Sequence, residues 1–315
     1  MKQLQAIFIC ILTLNVMGQE NQQAFSFDEI KGNGKDISAE PLQFESYDKT
    51  KINYYQFIPD SSVIAKLIFI HGGGAHSRLG YFKLAQKLKD SFNIETLLID
   101  IRGHGLSEGN RGDCPNINSL NKDISSMIQI AKTGNKLPIY LGGHSSGGGL
   151  VLNYSNWKKK ETVNGYFFIS PELGYKSNTD RENRMPFATV KIWKFVINGM
   201  SQGLFLQHSK AVFFNYPETI IKDNPLILTS ISVNMANALT PNNPKKQFRK
   251  IIEPIALFIG EQDELFEPQK VIEYANLPIL KNNKTIAKIL PNRKHLSILN
   301  DIGYEIGSTI KQWNE

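Results

Sequence analysis

Three short stretches hold residue types that together can transfer an acyl group: "GGHSSGG" around Ser145, "GEQDELF" around Asp263 and "RKHLSIL" around His295. A serine hydroxyl is a weak nucleophile at neutral pH and needs a base beside it; the base needs a carboxylate to fix its tautomer. The chain supplies them in the order serine, acid, histidine, the order found when the nucleophile sits on a turn between a strand and a helix. Gly143-His144-Ser145-Ser146-Gly147 fits G-x-S-x-G, with the apolar run "PIYLGG" before it and a segment of helical pattern after it. A turn that sharp requires small residues two before and two after Ser145, and Gly143 and Gly147 satisfy it. A flexible linker would also be glycine-rich, but it would not join two apolar runs directly.

Of the six histidines, His71, His76, His104 and His144 precede the serine, which leaves His208 and His295. His295 follows the last expected strand, in "KTIAKILPN", where a loop can hang it over Ser145. His208 lies where the strand–helix rhythm has lapsed. Asp263 stands three residues beyond Gly260, at the end of the apolar run "PIALFIG"; Glu261 and Glu264 are the alternatives, read as solvated loop charges. The oxyanion formed on attack needs backbone donors. Ser146, next after the nucleophile, is one. The loop "HGGGAHS" supplies the other, with Gly73 the first choice and Gly74 the second.

These residues must be positioned by a sheet. "LQFESYD" and "KINYYQFI" alternate as half-buried strands do, whereas "KLIFI", "IETLLID", "PIYLGG", "VNGYFFIS" and "PIALFIG" are continuous apolar runs suited to strands buried on both faces. Between them lie helical patterns, in "GYFKLAQKLKDS", "INSLNKDISSMIQIAKT" and from Ser146 to Lys159, with a closing helix from "HLSILN" onward. That alternation predicts an α/β fold: a mostly parallel, doubly wound sheet with helices on both faces. The rhythm breaks between residues 174 and 250, which read as an inserted, mainly helical cap on a core made of residues 41–173 and 251–315. A long insertion in a compact domain is a functional element as a rule. Its aromatic residues Phe187, Trp193, Phe195, Phe205, Phe213 and Phe214 divide between core packing and an acyl tunnel or membrane-facing mouth.

The motifs "HGGGAHS", "DIRGHGLSEGNRG", "GGHSSGG", "GEQDELF" and "RKHLSIL" together resemble the monoglyceride lipase and lysophospholipase branch of the α/β-hydrolases, which includes the group labelled serine aminopeptidases. The resemblance runs from about residue 42 to residue 314 and implies an α/β-hydrolase fold and a serine esterase acting on a monoacylglycerol, a lysophospholipid or another small acyl ester. It places Gly73 at the family's oxyanion position. Two departures stand out: Ala75 replaces the usual acidic residue of the first loop, and Ser146 replaces a frequent methionine. The family's D-x-x-G-H-G segment is architectural, which assigns Asp100, Arg102 and His104 to holding a loop.

Composition bounds the rest. The 315 residues are 41% hydrophobic and 21% charged, an ordinary globular balance. The net charge of +7 is scattered. Its densest run, "WKKKE" at 157–161, suits a solvated helix terminus. No basic–aromatic repeat points to nucleic acid, and no cysteine–histidine spacing or cofactor motif implies a metal or organic group. Lys2 followed by "AIFICILTLNVMG" reads as a signal peptide over residues 1–18, before a loose lead-in at 19–40, and implies a secreted or periplasmic protein. The alternative is an uncleaved anchor. Cys10 lacks the preceding small residue of a lipoprotein signal, and cleavage leaves Cys114 as the single cysteine. Two competing functions remain: an aminopeptidase or amidase, for which Glu172, Asp180 or Glu182 would hold a free amine, and a non-catalytic binding protein that kept the fold.

Overall fold

The structure, a computed structural model, describes residues 36–134, 136–278 and 284–315. The expected signal peptide and most of the lead-in lie outside the described residues. Leu42–Glu45 (β1) and Lys51–Phe57 (β2) pair as an antiparallel hairpin. Ala65–Ile70 (β3), Phe82–Phe92 (α1), Ile94–Ile99 (β4), Ser119–Lys132 (α2), Ile139–His144 (β5), Ser146–Ser155 (α3) and Gly165–Ile169 (β6) then alternate as the pattern predicts. Every residue of β3, β4, β5 and β6 is buried, as continuous apolar runs require.

The insertion holds Ala188–Val190 (β7), Ile192–Met200 (α4), Lys210–Phe214 (β8), Glu218–Asp223 (α5), Ser230–Ser232 (β9), Val233–Leu239 (α6) and Pro244–Arg249 (α7). Besides its helices it contains a three-stranded antiparallel sheet, β7-β8-β9, which the sequence reading lacked. Its strands are of three to five residues, too short for a period-2 pattern to register. The core resumes with Ile255–Gly260 (β10), Pro268–Ile272 (α8), Ile286–Leu290 (β11) and Ile302–Asn314 (α9).

Two helix boundaries differ from expectation. α3 ends at Ser155 rather than Lys159, and Trp157 begins a turn where the ammonium of Lys160 meets Glu253 at 2.6 Å. The closing helix is broken: Ser297–Asn300 form a 3-10 turn, and α9 starts only after Asp301.

The large sheet has the order β1-β2-β4-β3-β5-β6-β10-β11, and from β4 onward all neighbours are parallel. The chain leaves β3 for β4 on one side and returns past it to β5 on the other. Such a reversal opens a crevice at the carboxyl ends of the strands, where ligands bind in open α/β sheets. Ile70 is paired with Gly143 there, so the "HGGGAHS" loop and the Ser145 turn start side by side. Gly260 is paired with Leu290, which starts the Asp263 and His295 loops side by side as well. Apolar residues of α2, α3, α6 and α7 cover one face of the sheet. Those of α1 and α9 cover the other. Among the described residues, no helix is long and apolar enough to cross a membrane.

Candidate active site

Ser145 sits at the tip of the turn between β5 and α3 with φ 52° and ψ −121°, a region that a residue with a side chain occupies only under strain. Its neighbours impose the conformation. Its N–H donates to the Ile169 carbonyl at 3.0 Å, and its own carbonyl accepts from Gly149 at 3.1 Å and Glu172 at 2.9 Å. The flanking glycines are a steric necessity: a Cβ on Gly143 would strike the Gly147 backbone, and one on Gly147 would strike the carbonyls of Ile70 and His71. The side chain thereby stands above the sheet at the N-terminus of α3, whose first N–H groups have no partner inside the helix.

His295 is 2% exposed and Asp263 fully buried; Asp263 Oδ2 accepts from His295 Nδ1 at 2.9 Å. Oδ1 of Asp263 accepts from the N–H groups of Leu265 and Phe266, each at 3.0 Å. Burial alone would raise this carboxyl's pKa, but the His295 charge and these hydrogen bonds outweigh it and hold the pKa below the ordinary value. The ring is therefore fixed with its proton on Nδ1, leaving Nε2 as the remaining nitrogen. The two alternative acids have other partners. Glu264 Oε2 accepts from the His295 backbone N–H at 2.8 Å, and Glu261 Oε2 from that of Asn292 at 3.0 Å. Both brace the histidine loop. His208 lies apart, 2.8 Å from Asp113 through Nδ1.

The loop after β3 is pinned from several directions. The Ile101 N–H donates to His71 Nε2 at 3.0 Å, so the proton is on Nδ1, which donates to the Gly72 carbonyl at 2.8 Å. Burial pushes the His71 pKa down and keeps the ring neutral. The Gly72 carbonyl belongs to the peptide whose N–H is that of Gly73, so these bonds aim that N–H. Among the described residues, neither the Gly73 nor the Ser146 N–H has a hydrogen-bond acceptor. Gly73 lines the cavity at Ser145 and Gly74 does not; the Gly74 carbonyl is taken by the Leu228 N–H at 2.9 Å.

A buried relay that the sequence did not disclose links all three loops. The Gly72 N–H donates to Tyr81 Oη at 2.8 Å, and Tyr81 Oη lies 2.9 Å from His144 Nδ1. His144 Nε2 lies 2.9 Å from the His295 carbonyl. A carbonyl can only accept, so Nε2 carries the proton and Tyr81 donates to Nδ1. Burial pushes the His144 pKa down to about 3, which leaves the ring neutral.

One cavity brings Gly72, Gly73, Ser145, His144 and His295 together under Phe187 and Tyr216 of the insertion. Ala75 lines it too, and none of its lining residues is acidic. Glu172 and Asp180 are engaged by Arg184 at 3.2 and 2.8 Å, and Glu182 is exposed. Of the insertion's other aromatics, Phe214 packs on Phe187 and Tyr216, Trp193 and Phe205 are exposed, and Phe195 and Phe213 are half-buried. Asp100, Arg102 and His104 are structural. Asp100 accepts from Asn53, Ser77 and Leu106. Arg102 bridges Asp48 and Asp123 at 2.8 and 2.6 Å. His104 is buried, with its pKa held well below the usual value. Among the described residues, no cluster of three or more His, Cys, Asp or Glu could hold a metal ion.

Residues 61–301 match the family described as "Serine aminopeptidase, S33". The chain is 34% identical over 124 residues to an uncharacterised abhydrolase domain-containing protein of Dictyostelium discoideum, a match to 39% of this chain and 13% of that protein. It is 28% identical to a monoglyceride lipase of Saccharomyces cerevisiae over 41% of this chain and 44% of that protein. These matches thus span less than half of either relative. In three dimensions it is similar to a soluble variant of the yeast monoglyceride lipase solved with a substrate analog: TM-score 0.71, 16% identity, 89% of this chain and 96% of that one. With the parallel sheet and its insertion, this establishes the α/β-hydrolase fold.

Proposed function

Because the chain belongs to the serine aminopeptidase S33 family of α/β-hydrolases, we propose that it is a serine hydrolase of carboxylic esters, of the monoglyceride lipase and lysophospholipase type. The observation that carries this is a cavity lined by both Ser145 and His295, a histidine already tied to a buried carboxylate. In the reaction, Nε2 of His295 takes the proton from Ser145 as the hydroxyl oxygen adds to the ester carbonyl. The oxyanion forms against the N–H groups of Gly73 and Ser146, while Asp263 stabilises the imidazolium. Collapse expels the alcohol, protonated by His295. Water then adds to the acyl-enzyme by the same steps in reverse, releasing the acid and restoring Ser145.

A free-amine substrate finds less support, because the acids expected to hold its ammonium are outside the cavity and two are bound to Arg184. The outward apolar face of α4, with Ile192, Trp193, Val196, Ile197 and Met200 all exposed, supports contact with a lipid surface. The apolar start of the chain supports export.

The test is labelling with a fluorophosphonate, alongside hydrolysis of p-nitrophenyl butyrate and of an alanine anilide. The wild type should be labelled stoichiometrically and prefer the ester. Ser145→Ala should remain folded by circular dichroism, take no label and lose about a millionfold in kcat. A folded wild type that resists the label would identify a binding protein instead; a preference for the anilide would identify an amidase.

A further inference from the structure

Tyr216 is a residue of the insertion, yet its hydroxyl reaches into the catalytic loops. Its Oη donates to the Gly73 carbonyl at 2.9 Å, and from the same insertion the Leu228 N–H holds the Gly74 carbonyl. Two successive peptides of the loop after β3 are therefore fixed by a part of the molecule outside the core. Phe214 closes on the same loop: a Cβ on Gly73 or Gly74 would meet its ring. Phe187, Phe214 and Tyr216 pack on one another with ring centroids 5.5 to 5.7 Å apart.

Phe187 and Tyr216 also form the insertion's side of the cavity over Ser145, which measures about 30 Å³. A site for a drug-sized ligand runs to hundreds of Å³, whereas one water needs about 10–15 Å³ on the same kind of measure. With the insertion seated there is room for a short acyl tail and none for a fatty chain. A longer tail must displace Phe187 or Tyr216. Displacing Tyr216 breaks its bond to Gly73 and loosens the loop whose N–H is to receive the oxyanion.

We propose that Tyr216 both positions the Gly73 loop and sets substrate choice, so that the site favours esters of short acids, of about two to four carbons. The proposal rests on the ester-hydrolase reading above and replaces its lipid-type substrate with esters of short acids. Long-chain esters lose on kcat as well as on KM, because accommodating them disturbs the oxyanion loop; a simple steric wall would act mainly on binding.

The experiment measures kcat and KM for p-nitrophenyl acetate, butyrate, octanoate and dodecanoate, below their micelle concentrations. It uses the wild type, Tyr216→Phe and Phe187→Ala, with melting curves of all three. For the wild type, kcat/KM should peak at acetate or butyrate and fall at least tenfold by octanoate. Tyr216→Phe keeps the ring, so it should keep KM within about twofold for each ester while the dependence of kcat on chain length flattens. Its kcat should drop about tenfold on acetate and butyrate and little on octanoate and dodecanoate, whose accommodation already breaks the bond, and its affinity for a short alkyl boronic acid should drop in parallel with the short esters. Phe187→Ala should move the optimum toward octanoate. Octanoate cleaved by the wild type as well as butyrate, or a folded Tyr216→Phe with wild-type kcat on butyrate, overturns the proposal. A wild type that cleaves no ester overturns it together with the ester reading, and absence of fluorophosphonate label on Ser145 identifies that case.

Discussion

α3 and α4 are helices of ten and nine residues, and the molecule treats them in opposite ways. α3, "SGGGLVLNYS", opens with serine and three glycines, yet eight of its residues are buried. α4, "IWKFVINGM", is the more apolar sequence, yet its one buried residue is the polar Asn198. Asn198 Nδ2 donates to the Phe205 carbonyl at 2.8 Å, and Lys194 Nζ turns inward to Ser209 and Lys210. Apart from Phe195, which packs half-buried against the core, the polar side of α4 faces the protein and the apolar side faces out. Burial here follows the place of a helix in the layers, and apolar content alone does not decide it. α3 is locked because it must carry a strained serine against the sheet; α4 lies on the exterior with apolar side chains exposed.

The comparison predicts unequal costs. The largest belongs to the turn that starts α3. Gly147→Val drives a side chain into the carbonyls of Ile70 and His71, and should cost more than about 4 kcal/mol. Urea unfolding followed by circular dichroism measures it; a native-like midpoint would mean that the turn relaxes. Next comes Arg102→Ala. It strips the charged partner from Asp123, whose side chain is 7% exposed, and should cost about 3–5 kcal/mol at neutral pH.

The third prediction concerns acid. His71, His76 and His104 in the core loops and His144 at the end of β5 are all buried, and burial depresses each pKa, His76 to about 4 and His144 to about 3. The unfolded chain protonates them near their ordinary value of about 6.5. Their neutral burial therefore costs nothing above that pH, and stability is lost as the pH falls from there toward the folded values. Each can contribute up to about 1.4 kcal/mol per pH unit. Urea midpoints should decline clearly between pH 7 and pH 5, and a flat profile would contradict the buried neutral assignment. The smallest effect belongs to α4: Trp193→Ser with Val196→Ser should change stability by no more than about 0.5 kcal/mol, while weakening co-sedimentation with anionic lipid vesicles. A large loss of stability would show that this face packs in solution after all.

The core strands were legible because β3, β4, β5, β6 and β10 are buried on both faces and so had to be written as apolar runs. The gathering of Ser145, Asp263 and His295 at one end of the sheet was legible because the sheet order brings the strand ends that carry them together. Tyr81, His144 and Tyr216 were not. Each acts through hydrogen bonds to residues far away in the chain, 63 residues for Tyr81 and His144, 151 for His144 and His295 and 143 for Tyr216 and Gly73, and an isolated tyrosine or histidine carries no spacing signal for that. The nearest hint was position: Tyr81 follows the glycine loop, and His144 directly precedes the serine. The extent of α3 was overread because "NWKKK" suits a helix by propensity, while the anchoring of Lys160 to Glu253 bends the chain away.

The insertion separates β6 from β10, which lie side by side in the sheet. During synthesis the ribosome must therefore deliver β6 well before the strand that covers its flank. Until β10 emerges, "GYFFI" presents an open, greasy margin ready to pair with any extended segment, including the same strand of another nascent chain. A fragment truncated after residue 250 would keep Ser145 but lack this closure together with Asp263 and His295, and should accumulate as aggregate.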